Sequence, residues 1–185
     1  MARTETNIIP LGFTAPNFYL PDILDGSKKK YFRDICGPRG TVVIFMCNHC
    51  PFVIHIIDEL VKVSNDYCQK GISIVGINSN DIENYPEDSP ENMILFAKEH
   101  KIKFPYFFDK NQNVAKEFDA ACTPDFNVFD SNDICVYRGQ FDDARPGNGM
   151  PINGTDLRKT LDLLLEEKPI PTEQKPSIGC NIKWK

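Results

Sequence analysis

Two cysteines separated by two residues, Cys47-Asn48-His49-Cys50, carry the clearest chemistry in this 185-residue chain. Thiols at that spacing can close a small disulfide ring, exchange disulfides with a second molecule, or supply half of a metal site. Their context favours exchange. Thr41–Met46 is an almost wholly apolar run, the pattern of a strand covered on both faces. Pro51 suits the first turn of a helix, where its missing N–H costs nothing. Val53, Ile57, Leu60, Ser64 and Cys68 then recur on one helical face as far as Gly71, with Asp58, Lys62, Asn65 and Gln69 turned away. Ile72–Asn78 follows as a second apolar strand, which makes a parallel β-α-β unit with the thiols at the strand-to-helix junction.

That junction predicts how the pair works. Cys47 is expected at the helix N-terminus, where unpaired N–H groups and the dipole favour a thiolate. A free thiol of pKa ~8.5 is only about 3% ionised at pH 7, whereas one of pKa ~7 is about half ionised. Cys50 is expected one turn further in, deeper, and close enough to resolve a mixed disulfide. His49 is expected to tune the pair by favouring the Cys47 thiolate, which makes the disulfide more oxidising.

The rest of the chain narrows the class. Seven cysteines, at 36, 47, 50, 68, 122, 135 and 180, are an odd number with one close pair, which fits reduced thiols better than a disulfide scaffold. Zinc needs four ligands, and no second C-x-x-C or H-x3-H accompanies the first, so no metal ligand is assigned. The 26 acidic and 21 basic side chains leave a formal charge of −5, which argues against nucleic-acid or anionic-membrane partners. No apolar run approaches a membrane span and the N-terminus lacks a signal pattern, so a cytoplasmic protein is expected. Phosphate-binding fingerprints are absent, and no cofactor is implied.

The elements that must hold the pair in place read as follows. Asn17–Ile23 and Lys28–Phe32 flank an Asp25-Gly26 turn and form an N-terminal β-hairpin. An acidic loop over Ser79–Glu91 should emerge at the same sheet edge as Cys47, either as a selective lid bearing Tyr85 or as an ordinary solvated loop. A helix over Pro90–His100, a strand over Phe104–Phe108, a short helix over Asn111–Phe118, strands at Asp125–Phe129 and Ile134–Phe141, and a helix over Asp156–Glu167 complete one domain, residues 1–168. Residues 169–185 form a tail whose Ile182 and Trp184 suggest that it packs on the domain. The order predicts an α/β sandwich around a mixed central sheet.

The stretch Thr41–Val53 resembles the active-site strand and helix of the thioredoxin superfamily. With Ala15-Pro16-Asn17-Phe18-Tyr19-Leu20, Cys122-Thr123-Pro124-Asp125-Phe126 and Tyr137-Arg138-Gly139, the chain resembles more narrowly the redoxin branch of alkyl hydroperoxide reductase/thiol-specific antioxidant-like domains. The resemblance spans about residues 10–167 and implies a thioredoxin-like three-layer sandwich. It also implies a cis-proline at Pro124 facing the thiols, with Thr123 offering its backbone to a substrate chain; Asn48, between the two cysteines, is a further candidate substrate contact. Several features depart from the pattern. Met46 stands where thioredoxins carry tryptophan, Thr41–Met46 lacks their buried carboxylate, and Ile44 and Gly40 stand where peroxiredoxins place the groups that activate peroxide. The spacing also differs from the wider pair of copper chaperones.

The expectation is therefore a thiol–disulfide oxidoreductase acting on a protein or small-molecule disulfide. Electrons would come from a partner reductase or small thiol. A peroxiredoxin-like peroxidase and a copper- or zinc-binding module are the alternatives. Cys122, two residues before Pro124, and Cys180, in the tail, are candidate accessory redox thiols, although an inert buried cysteine and an idle tail thiol explain them more simply. Cys68 and Cys135 read as core packing. Arg138 and Arg145 read as surface ion pairs, as anchors for an acidic partner or as groups that help the thiolate.

Overall fold

A computed structural model describes residues 3–185. Its elements in chain order are β1 (Arg3–Glu5), β2 (Tyr19–Asp22), β3 (Lys28–Tyr31), β4 (Gly40–Phe45), α1 (Pro51–Cys68), β5 (Ile72–Asn78), α2 (Pro90–Glu99), β6 (Tyr106–Phe108), α3 (Asn113–Glu117), β7 (Cys122–Thr123), β8 (Asp125–Phe129), β9 (Cys135–Gly139), α4 (Thr155–Leu165) and β10 (Ile178–Asn181). The central sheet has seven strands in the order β3-β2-β6-β5-β4-β8-β9. β4, β5 and β6 run parallel, and the β2–β3 hairpin and the β8–β9 pair extend the sheet antiparallel at either edge.

The apolar patterning explains the layers. Every residue of β4 is buried, because both faces of the sheet are covered. One face mixes aliphatic and aromatic side chains: Val42, Ile44 and Met46 pack with Ile57 and Leu60 of α1, Phe96 of α2 and Leu157 of α4. The other is aromatic: Phe18, Phe32, Phe45, Phe107, Phe118 and Phe129 pack with Val114 and Ala115 of α3. Its rings meet mostly edge-on, with Phe45 and Phe118 at 5.3 Å and Phe18 and Phe107 at 5.4 Å between centroids. The result is a three-layer α/β sandwich with the N-terminal hairpin built into the sheet edge. Gly71, at φ +87°, makes the left-handed turn from α1 into β5, a conformation that favours glycine.

Several expected boundaries move for local reasons. β6 is shorter than Phe104–Phe108 because Pro105 has no N–H for a ladder. α3 begins at Asn113 because Gln112 caps it with φ +61°. Cys68 does not join the core: it is exposed at the last turn of α1, and Tyr67 takes the inward position, donating to Asp162 Oδ1 of α4 at 2.7 Å. Arg138 is buried rather than at the surface, donating to the carbonyls of Phe118 and Asp119, both at 2.6 Å. Arg145 ties its own loop, donating to Asp142 O and Ala144 O at 2.6 Å.

A second sheet, which periodicity did not reveal, has the order β1-β10-β7. It joins both ends of the chain to the segment before Pro124. β10 pairs antiparallel with β1 (Arg3 opposite Cys180) and with β7 (Cys180 opposite Thr123, Asn181 opposite Cys122). Beyond β10 the tail is fastened by Ile182 N–H to Ala121 O, Lys183 N–H to Asn80 Oδ1, and Asp81 N–H and Gln112 Nε2 to Lys183 O.

Candidate active site

β4 ends at Phe45, and the chain turns through Met46–Cys50 before α1 begins at Pro51. Pro51 fixes the first helical residue, so the helix starts three residues later than its relation to Cys47 implied. Cys50, not Cys47, is the N-cap. Both thiols are buried: Cys47 is 1% exposed and Cys50 0%.

Cys50 occupies the centre of the site. Its Sγ is 2.9 Å from Cys180 Sγ and 3.1 Å from Thr123 O, within reach of Cys47 as well. Cys47 Sγ is 3.4 Å from Thr123 Oγ1. The Thr123–Pro124 peptide is cis and faces both sulfurs. Hydrogen bonds from the Cys180 and Cys47 thiols, together with the helix N-terminus, hold the Cys50 thiol far below the ordinary thiol range. Burial opposes this, and the Thr123 carbonyl accepts from Cys50 Sγ only while Cys50 is a thiol. Cys47 moves the other way, raised by its hydrogen bond to Cys50, by burial and by the Asp88 carboxylate. In the resting dithiol these shifts run opposite to the expectation and favour ionisation of Cys50 over Cys47.

His49 is also differently employed. Its Nδ1 stands 2.7 Å from Asp88 Oδ2, an ion-pair distance, although the ring is turned so that the N–H does not point straight at the oxygen. The close contact with the Asp88 carboxylate and its charge raise the His49 pKa against the opposing effect of burial. When protonated, the imidazole is matched by the Asp88 carboxylate, so its charge does not act on Cys47 alone. His49 also stacks on Tyr85, with the rings 5.7 Å apart and 5° from parallel.

Asp88 went unrecognised in the sequence because nothing local distinguishes it from Glu83, Glu87 or Glu91. It is fully buried, and Oδ1 accepts the Asn48 N–H at 2.8 Å while Oδ2 accepts Asn80 Nδ2 at 2.7 Å. Ser79, Asn80 and Asp81 are buried with it and form a wall of the site, while Glu83, Asn84, Pro86 and Glu87 of the same loop are exposed to solvent. Asn48, expected beside a substrate, is buried and fully engaged: its Nδ2 donates to Glu87 O and its Oδ1 accepts from Tyr106 Oη, both at 3.0 Å.

The other candidates divide. Thr123 and Pro124 face the thiols, but the strand edge of Thr123 is already paired with β10. Cys180 is in the site, opposite Thr123. Cys122 is not: its Sγ contacts Thr6 Oγ1 at 3.7 Å, and burial pushes its thiol up. Cys135 is buried away from the site with a pKa pushed up to about 12 by burial. A shallow cleft runs beside Pro124, lined by Phe52, Ile56, Phe126, Phe141, Arg145 and Ile178. No metal ligand was assigned from the sequence, yet the fold gathers donor atoms of Cys47, His49 and Asp88 within 4.8 Å of one another. No helix among the described residues is long and apolar enough to cross a membrane.

Comparison with known proteins fits this arrangement. A crystal structure of an uncharacterized conserved protein from Geobacillus kaustophilus is 55% identical and superposes with a TM-score of 0.97, over 100% of this chain and 97% of that one. A hypothetical protein from Sinorhizobium meliloti is 44% identical, with a TM-score of 0.95 over 98% of both chains. A thiol:disulfide interchange protein of the thioredoxin family from Chlorobium tepidum shares the fold at 16% identity, with a TM-score of 0.63 over 85% of this chain and 99% of that one. No curated protein matches. The profile of the AhpC/TSA family matches residues 11–138, which supports a redox role, and on that match this thioredoxin-like redoxin chain belongs to the AhpC/TSA family.

Proposed function

We propose that this protein is a thiol–disulfide oxidoreductase working through Cys47 and Cys50. The observation that carries the reading is the meeting of the two sulfurs with Thr123 and the cis Pro124 at the β4–α1 junction. In the exchange, the Cys47 thiolate attacks one sulfur of a substrate disulfide and displaces the first substrate thiolate. Cys50 then attacks Cys47 Sγ and displaces the second, leaving Cys47–Cys50 oxidised and the substrate reduced by two electrons. Thr123 Oγ1, 3.4 Å from Cys47 Sγ, is placed to donate to the Cys47 thiolate whenever it forms. A partner reductase or a small thiol restores the dithiol. Both sulfurs are covered here, so a substrate reaches Cys47 only when the covering residues part.

Equilibration of the protein with glutathione or dithiothreitol buffers tests this reading. A two-electron couple is expected within roughly −120 to −270 mV, the range of disulfide oxidoreductases. Turnover of a disulfide substrate should fall to background in Cys47→Ser and Cys50→Ser and persist in Cys122→Ser. Absence of a reversible couple in the wild-type protein would overturn the reading.

One observation favours a second reading. A thiolate, an imidazole and a carboxylate within 4.8 Å, from Cys47, His49 and Asp88, are a donor set that suits zinc. Stoichiometric zinc after purification without chelators, lost in Asp88→Ala, would put metal binding in place of exchange.

A further inference from the structure

The edge of β7 is where the thioredoxin resemblance expects a substrate backbone, and this chain fills it with its own C-terminal strand. β10 lies antiparallel on β7 with Cys180 directly opposite Thr123. Side chains of a directly paired couple project to the same face of a sheet, and Thr123 Oγ1 faces Cys47. Cys180 therefore projects towards the dithiol, and its Sγ stands 2.9 Å from Cys50 Sγ. The approach is close by construction. A Cβ added to Gly179 would lie 1.9 Å from Thr123 O, so only glycine lets the strand sit this near. Hydrogen bonds on both sides hold the strand: Thr6 N–H to Ser177 O at 2.9 Å before it, and Ile182 N–H to Ala121 O at 3.1 Å after it.

We propose that β10 is a built-in substrate strand and that Cys180 is the third exchange thiol of the site. The inference rests on the oxidoreductase reading and extends it by one step. After Cys47–Cys50 has formed, the Cys180 thiolate attacks Cys50 Sγ. The Cys50–Cys180 bond forms as the Cys47–Cys50 bond breaks, and Cys47 leaves as a thiolate. Cys180 is oxidised and Cys47 reduced in the same displacement, the proton shed by Cys180 ends on Cys47, and no outside oxidant is consumed. The consequence is an oxidised protein in which Cys47 is again a free thiol and the tail is covalently fixed to the N-terminus of α1.

Disulfide mapping of the full chain tests the step. The protein is oxidised with oxidised dithiothreitol, free thiols are alkylated in acid, and linked peptides are identified by mass. Wild type should yield a Cys50–Cys180 peptide pair with Cys47 alkylated, beside some Cys47–Cys50. The Cys50–Cys180 pair should form much more slowly in Cys47→Ser, which cannot supply the first disulfide, and be lost in Cys180→Ser and Cys180→Ala, both of which should retain Cys47–Cys50. If wild type gives only Cys47–Cys50 and Cys180 is alkylated throughout, the third thiol is overturned while the oxidoreductase reading stands. If the Cys180 variants, folded by circular dichroism, form no Cys47–Cys50 bond and no couple, the oxidoreductase reading falls and the relay falls with it.

Discussion

Cys180 and Cys122 lie one register position apart across the same pair of strands, yet one faces the dithiol and the other does not. Cys180 is opposite Thr123, and Asn181 is opposite Cys122. Successive residues of a strand point to opposite faces, so Thr123 and Cys180 share the reactive face, and Cys122 faces Thr6 and the Asp125 carboxylate. The two environments then separate the thiols chemically. On the reactive face sulfur meets sulfur at 2.9 Å, and on the other a thiol is raised by burial and a nearby carboxylate. A one-residue difference in register, not a difference in residue type, divides a redox candidate from a packing residue.

Three substitutions probe this contrast. The largest effect is expected on the closed face. Asp125 is fully buried, and burial raises its pKa from 3.8 to about 6, partly offset by Arg138 at 3.8 Å. A carboxyl whose folded pKa lies above its unfolded value binds more protons when folded, so its contribution to stability falls as pH rises through that window. Wild type should therefore lose up to about 3 kcal/mol relative to Asp125→Asn between roughly pH 4 and 7, since a tenfold change in proton affinity is worth ~1.4 kcal/mol. Urea unfolding of both proteins across that range checks the sign, and a difference independent of pH would show that the group is not perturbed.

The next effect acts on the pairing itself. Gly179→Ala pushes a methyl group into Thr123 O, which should cost about 1–3 kcal/mol and lift β10 from β7. Alkylation of Cys50 should speed up while that of Cys122 changes little, as read by peptide mass over time. Equal acceleration at both would mean that the sheet opens as one unit. The smallest effect is expected on the reactive face. Asp88→Asn removes the charge that raises His49, so the His49 titration seen by NMR should move down, and Cys47, freed of the same carboxylate, should alkylate faster. The His49 contribution to stability is present at low pH and is lost as pH rises from 6.5 through its raised folded value, and Asp88→Asn should abolish that slope. An unmoved His49 titration would show that the 2.7 Å contact carries no charge coupling.

What was legible in the sequence follows the range of the interactions. The dithiol, its strand and its helix lie within one β-α-β unit, so spacing and periodicity were enough to find them. Thr123 and Pro124 followed from the resemblance. The direction of the pKa shifts was not legible, because Pro51 set the helix start three residues later and gave the N-cap to Cys50. Asp88 and Cys180 reach the thiols through contacts 40 and 130 residues apart in the chain, and no local pattern announces such partners. Cys68 was misplaced for a related reason: a helical stripe says which side is apolar, but not where the neighbouring sheet ends.

The small sheet made by the two chain ends has a consequence for the order of assembly during synthesis. β1 and β7 are both made before β10, and neither has its strand partner in this sheet until β10 has been added. Translation proceeds at about 5–20 residues per second, and domains generally fold as their chain is completed. For several seconds, then, the nascent chain holds the dithiol segment with the edge of β7 bare, open to any extended strand nearby. The emergence of β10 closes that interval, and the Lys185 N–H bond to Gln112 Oε1 at 3.0 Å helps hold the segment behind it in place.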